Sequence, residues 1–109
     1  MNREDVRQML RKCHNRPAKL KALSYVSLSE RERLIMQYRY IDGLTLEEVT
    51  TRIPYYYAQL LGISLQDAIQ KYEPCSGSVK KWEKSALNKC AEVWPDIEYI
   101  SRIQKEIEI

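Results

Sequence analysis

Small polar and basic residues crowd one short stretch of this chain: Ser76, Gly77, Ser78, Lys80, Lys81 and Lys84. Hydroxyl and ammonium groups at the start of a helix contact phosphates and base edges, and small leading residues let the helix enter a groove about 12 Å wide. The chemistry this stretch suits is the binding of a polyanion, not the making of bonds. Other chemistries are less well supplied. Cys13 and His14 are adjacent, and adjacent residues on a helix do not face each other. With no further ligand at metal-binding spacing, His14 reads as a surface residue. Glu47 and Glu48 are paired carboxylates, but the positive end of a helix dipole accounts for them without catalysis. Cys13, Cys75 and Cys90 form no Cys-x-x-Cys pair, so neither a disulfide framework nor a zinc knuckle is expected. The three glycines are scattered and make no phosphate loop. The expectation is therefore no enzyme, no cofactor and no metal.

Charge alternates along the chain. Residues 1–40 carry ten Lys/Arg against four Asp/Glu, and residues 74–91 carry four against one. Residues 41–73 and 92–109 each carry two against five. Basic blocks in a small protein suit a polyanionic partner, although solvated helix faces give the same pattern. With 109 residues, 44% hydrophobic and 30% charged, the chain suits one folded domain. No apolar run spans a bilayer, the first residues are charged rather than signal-like, and reduced thiols suit a cytoplasmic protein.

The elements that must position the basic stretch read as helices throughout. Val6, Met9, Leu10 and Cys13 make an apolar stripe over 3–14, capped by Asn2 and ended or interrupted at Pro17. Residues 18–28 read as a connector with some helical character. Ser29 and Glu32 have the spacing of a capping box for a helix to Ile41, with Leu34, Ile35, Tyr38 and Ile41 on one face and Gly43 as the left-handed stop. Thr45 and Glu48 repeat the box for a helix over 46–53 with Leu46, Val49 and Ile53 inward, stopped or bent at Pro54. Residues 54–74 read as one or two short helices meeting at Gly62, with Ser64 and Asp67 as a weaker box. A helix over 77–92, capped by Ser76 or Ser78, faces Val79, Trp82, Ala86, Leu87 and Cys90 inward and Lys80, Lys81, Lys84 and Lys89 outward. Pro95 breaks the chain before a last helix with Ile97, Ile100, Ile103 and Ile107 in a stripe. That stripe either seams a homodimer through 96–109 or folds back on the core. The Tyr55–Tyr57 run either packs the 54–73 segment or meets a partner.

Two stretches resemble a known family. Residues 28–49, LSERERLIMQYRYIDGLTLEEV, are similar to region 4 of sigma-70-type initiation factors, with its R-E start, its Asp-Gly-x-Thr turn and its TLEEV helix. Residues 76–90, SGSVKKWEKSALNKC, resemble the matching recognition helix through Val79, Trp82, Glu83, Ala86, Leu87 and Lys89. The resemblance implies an all-α fold with a helix-turn-helix, in which Ser76, Gly77, Ser78, Lys80, Lys81 and Lys84 face bases and phosphates. Thr45 and Glu47 would lie near the backbone of the duplex. It implies a transcription regulator of the kind found in phages and prophages, binding double-stranded DNA at a promoter or operator and contacting RNA polymerase. Gly77 stands where the family often has an acidic or polar base-reading residue, and about 20 extra residues separate the two helices. The expected organisation is a basic helix and connector over 1–27, the helix-turn-helix domain over 28–92 with an insertion at 54–74, and a C-terminal helix over 93–109. Basic residues among the first forty would add phosphate contacts. Three alternatives stay open. In one, residues 56–61 and 65–72 are the helix-turn-helix, with Ser64, Gln66 and Gln70 on DNA. In another, the chain binds polymerase or another regulator without reading DNA. In the third it is a phage small terminase subunit.

Overall fold

The computed structural model describes the backbone of residues 2–108 and the side chains as far as residue 93. The chain folds into helices α1 (Arg3–Lys12), α2 (Arg16–Ser24), α3 (Glu30–Met36), α4 (Leu46–Leu61), α5 (Leu65–Tyr72) and α6 (Ser76–Glu108), with no strand among the described residues. A π-helical turn, Gln37–Ile41, continues α3.

The helix starts follow the side-chain signals. Asn2 and Asp5, Ser29 and Glu32, and Thr45 and Glu48 each close a reciprocal capping box. Each box satisfies two backbone donors that a helix start would otherwise leave open. Ser64 receives the Asp67 amide without the return bond. Gly43 and Gly62 adopt φ of 71° and 64°, the left-handed geometry that only glycine enters without strain.

Proline is behind three departures from the expected elements, and the turn after α3 is a fourth. Pro17 does not interrupt α1; it lies in the first turn of α2, capped by Asn15, where its missing N–H would have had no partner anyway. The helical character expected in the connector is a full helix that buries Ala22 and Leu23. Pro54 sits inside α4, which runs on to Leu61, and Pro95 does not end α6. Proline's fixed φ is close to helical, so a helix held by packing can run through it despite the lost hydrogen bond and the ring's clash with the carbonyl four residues back. The fourth is the π turn, closed by Asp42 N–H onto the Gln37 carbonyl at 3.0 Å. Its extra residue rotates the register, so Tyr40 is buried while Tyr38 and Ile41 are half-buried.

Two apolar clusters share α6. In the first, Val6, Leu10, Ala22, Leu23, Val26, Met36 and Tyr40 pack on Ala86, Leu87 and Cys90. In the second, Leu34 and Ile35 of α3 and Val49, Ile53 and Tyr57 of α4 pack on Val79. Of the stripe expected on α1, Met9 is exposed and Cys13 half-buried. The extra residues between α4 and α6 form a hairpin. The second half of α4 turns at Gly62 into α5, and Tyr57 stacks on Tyr72 with ring centres 4.5 Å apart. Tyr56 donates to Glu30 at 2.6 Å and Tyr57 is buried in the second cluster, so two of the three consecutive tyrosines hold the insertion to the domain. The start of α6 therefore still meets α3 and α4 in one core, and the insertion projects without prising them apart. The isoleucine stripe of residues 97–107 lies outside the described side chains.

Candidate nucleic-acid interface

The first three turns of α6 are set by what their inner face touches. Val79, Ala86 and Leu87 are fully buried. Trp82 is half-buried, with the Arg31 guanidinium 5.0 Å from its ring centre, a geometry in which a cation is drawn to the ring face. Glu83 is 4% exposed and is held from three sides. Tyr40 donates to one oxygen at 2.5 Å, Arg39 Nε to the other at 3.3 Å, and Arg7 lies 3.6 Å away. A buried carboxylate is tolerable only when paired and hydrogen-bonded in this way. Burial, followed by the bond to Glu83, pushes the Tyr40 phenol up to about 12.

A second ion pair fixes the far side of the helix. Lys89, expected to face outward, reaches Glu32 at 2.6 Å. It is half-buried, because the Glu32 oxygen that accepts the Ser29 amide in the α3 cap also accepts the ammonium. Burial opposes the charge on Glu32, but the Lys89 ammonium and the Ser29 amide outweigh it and hold the carboxyl at about 2. An ordinary glutamate titrates near 4.5. A lowered folded-state value contributes stability that is present above the unfolded value and is lost as pH falls through the folded one. Between about pH 4.5 and pH 2 the wild type should therefore lose about 2–3 kcal/mol that Glu32→Gln never had. Urea unfolding of both chains across that range checks it; parallel pH profiles would contradict it.

The outer face carries the residues expected from the sequence. Ser76, Gly77, Lys80, Lys81 and Lys84 are exposed and Ser78 is half-buried. Neither Ser76 nor Ser78 caps the helix: Cys75 does, its carbonyl accepting from Ser78 and Val79 at 3.1 and 3.2 Å. The Cys75 thiol lies 3.1 Å from the Ser78 hydroxyl. That contact, with the neighbouring backbone amides, draws the thiol below its usual range. Thr45 and Glu47 are exposed at the start of α4, with the Thr45 hydroxyl oxygen already accepting the Glu48 amide at 3.2 Å. His14 is exposed. The rival residues Ser64, Gln66 and Gln70 are also exposed, on and beside α5.

Beside this face lies a groove of about 650 Å³ between α1, the π turn and α6. Arg3, Arg7, Arg11, Arg39, Lys80 and Lys84 line it against Glu4 and Glu83. The sequence singled out the two lysines but none of these arginines individually. Arg3, Arg7 and Arg11 recur every fourth residue, a spacing that stacks them on one helix face. That was the signal available to find them.

Residues 26–53 match the model of the family described as Sigma-70, region 4. The match covers α3, the π turn and the start of α4, and ends one residue before the proline inside α4. These residues are thus similar to part of sigma-70 region 4, which suggests a DNA-binding helix-turn-helix of the kind associated with transcription; α6 lies beyond the matched residues. No curated protein and no solved structure matches the chain. Among the described residues no helix is long and apolar enough to cross a membrane.

Proposed function

We propose that this chain is a sequence-specific DNA-binding transcription regulator, of the small phage or prophage kind, that reads a promoter or operator with the start of α6 and contacts RNA polymerase. The observation that carries the reading is the two-faced start of α6. Its inner face is locked to α3 and α4 through Val79 and to the π turn through Glu83. Its outer face presents Ser76, Lys80, Lys81 and Lys84 to solvent. A helix held this way loses little conformational freedom on entering a groove, so its charges contribute more of their energy to binding. The reading involves no catalysed reaction and no cofactor: occupancy of a site, with recruitment or blocking of polymerase, is the whole mechanism.

The test is duplex binding as a function of salt, from a pool of random fragments, for wild type and Lys80→Ala/Lys81→Ala. Wild type selects a sequence; the double variant loses that preference and its salt slope falls by about two. Absence of duplex affinity at low salt would sink the reading. A second reading, a module that binds polymerase or another regulator without reading DNA, is favoured by one feature. Tyr55, Leu60, Leu61 and Ile69 leave large apolar surfaces exposed on the α4–α5 hairpin, and such surfaces suit a protein contact. A polymerase pull-down that succeeds while duplex binding fails would select it.

A further inference from the structure

We infer that α1 is the second wall of the DNA site, and that the groove between α1 and α6 takes the sugar-phosphate backbone of the duplex that α6 reads. This rests on the DNA-binding reading above and extends it to an element that the family match, which begins at residue 26, leaves out.

The cations of the groove fall into two sets. Arg7 and Arg39 are committed to Glu83, and Arg7 also to Glu4 at 2.8 Å. Their charge is spent inside the protein, where it fixes α6 against α1. Arg3, Arg11, Lys80 and Lys84 make no ion pair with any described residue. They stand on the two sides of the groove, with α1 anchored from beneath by Val6 and Leu10. Unpaired like charges brought together across a groove repel, and an anion between them removes the repulsion. By residue type the lining is charged or polar apart from Leu46, the aliphatic stems of its arginines and lysines carrying ammonium and guanidinium heads, which suits a phosphate chain better than a small apolar ligand.

Position and length agree with a duplex. Lys80 and Lys84 belong both to the groove and to the exposed face of α6, so a backbone lying in the groove is continuous with bases facing Ser76–Lys81. Arg3 and Arg11 are eight residues apart on α1, which is about 12 Å of helix. A groove of that length can follow a short run of phosphates on one strand of a duplex.

The full chain carrying Arg3→Ala/Arg11→Ala should bind the selected duplex and a random duplex more weakly by the same factor. Its salt slope should fall by about two, with sequence preference and helix content unchanged. Lys12→Ala/Lys21→Ala, which removes two exposed cations outside the groove, should leave the slope within experimental error. An unchanged slope in Arg3→Ala/Arg11→Ala, beside a wild type that binds and a Lys80→Ala/Lys81→Ala variant that does not select, overturns the α1 wall and leaves the reading of α6 standing. Equal loss in the Lys12→Ala/Lys21→Ala control also overturns it, because the effect is then diffuse charge. A wild type without duplex affinity removes the DNA reading itself and the wall with it.

Discussion

Glu83→Ala should destabilise the domain by about 3 kcal/mol, and by more than any exposed substitution on α6. Removing one partner of a buried ionic cluster costs about 3–5 kcal/mol, because the groups left behind stay desolvated. Here the abandoned groups are the Tyr40 hydroxyl and the Arg39 guanidinium, whose side chain is 18% exposed. Arg7, 32% exposed, regains water more easily, which places the expected cost near the lower bound. Glu83→Gln keeps an acceptor for Tyr40 and loses the charge, so it should cost roughly half as much. Chemical denaturation of the two variants measures both. Equal and small losses would mean that the cluster is solvated and does not hold α6. Because Glu83 is the only buried charge on α6 among the described residues, the substitution also tests whether the DNA-facing surface depends on it. Duplex affinity should fall in Glu83→Ala as α6 loosens, even though the substitution removes a negative charge from the lining of the groove.

Leu87→Ala is the second large effect. Leu87 is fully buried in the cluster that joins α1, α2, the π turn and α6. Truncation at such a site removes the transfer energy of the lost atoms and leaves a cavity, costing about 2–5 kcal/mol. Asn88, the next residue, is exposed, and Asn88→Ala should change stability by no more than about 0.5 kcal/mol. The pair of neighbours makes a sharp comparison: thermal or urea unfolding that ranks them equal would contradict the placement of the inner face of α6. A domain of 109 residues has a total stability of about 5–15 kcal/mol, so the Leu87 loss is a large share of it.

The parts of this fold that were legible in the sequence are those with a local cause. The capping boxes at Ser29–Glu32 and Thr45–Glu48 and the left-handed Gly43 depend on residues within four positions of one another. The inner face of α6 was equally legible, because Val79, Ala86, Leu87 and Cys90 repeat at helical period. Prolines misled because the sequence shows what proline removes, not what surrounds it. At Pro54 the surrounding residues are buried at Ile53 and Tyr57, and packing of α4 against α3 and α6 holds the helix through the missing bond. The π turn was invisible because a one-residue register shift leaves composition unchanged.

At the candidate site the missing information was also of long range. Glu83 and Lys89 look like surface charges by type, yet their partners Tyr40 and Glu32 are 43 and 57 residues away. The groove is assembled from α1 and α6, whose cations stand more than sixty positions apart in the chain. The basic blocks at residues 1–40 and 74–91 hinted that both ends of this arrangement were cationic. Only the packing of Val6 and Leu10 on Leu87 shows that they meet.

The most direct test of the central claim is amide chemical-shift mapping of the folded chain titrated with its selected duplex. Perturbations concentrated at residues 76–84, with weaker ones at Thr45–Glu47 and along α1, are the result expected if the start of α6 reads DNA. Perturbations concentrated at Ser64–Gln70 instead would hand the recognition role to α5, and a spectrum unmoved by duplex would contradict DNA binding altogether.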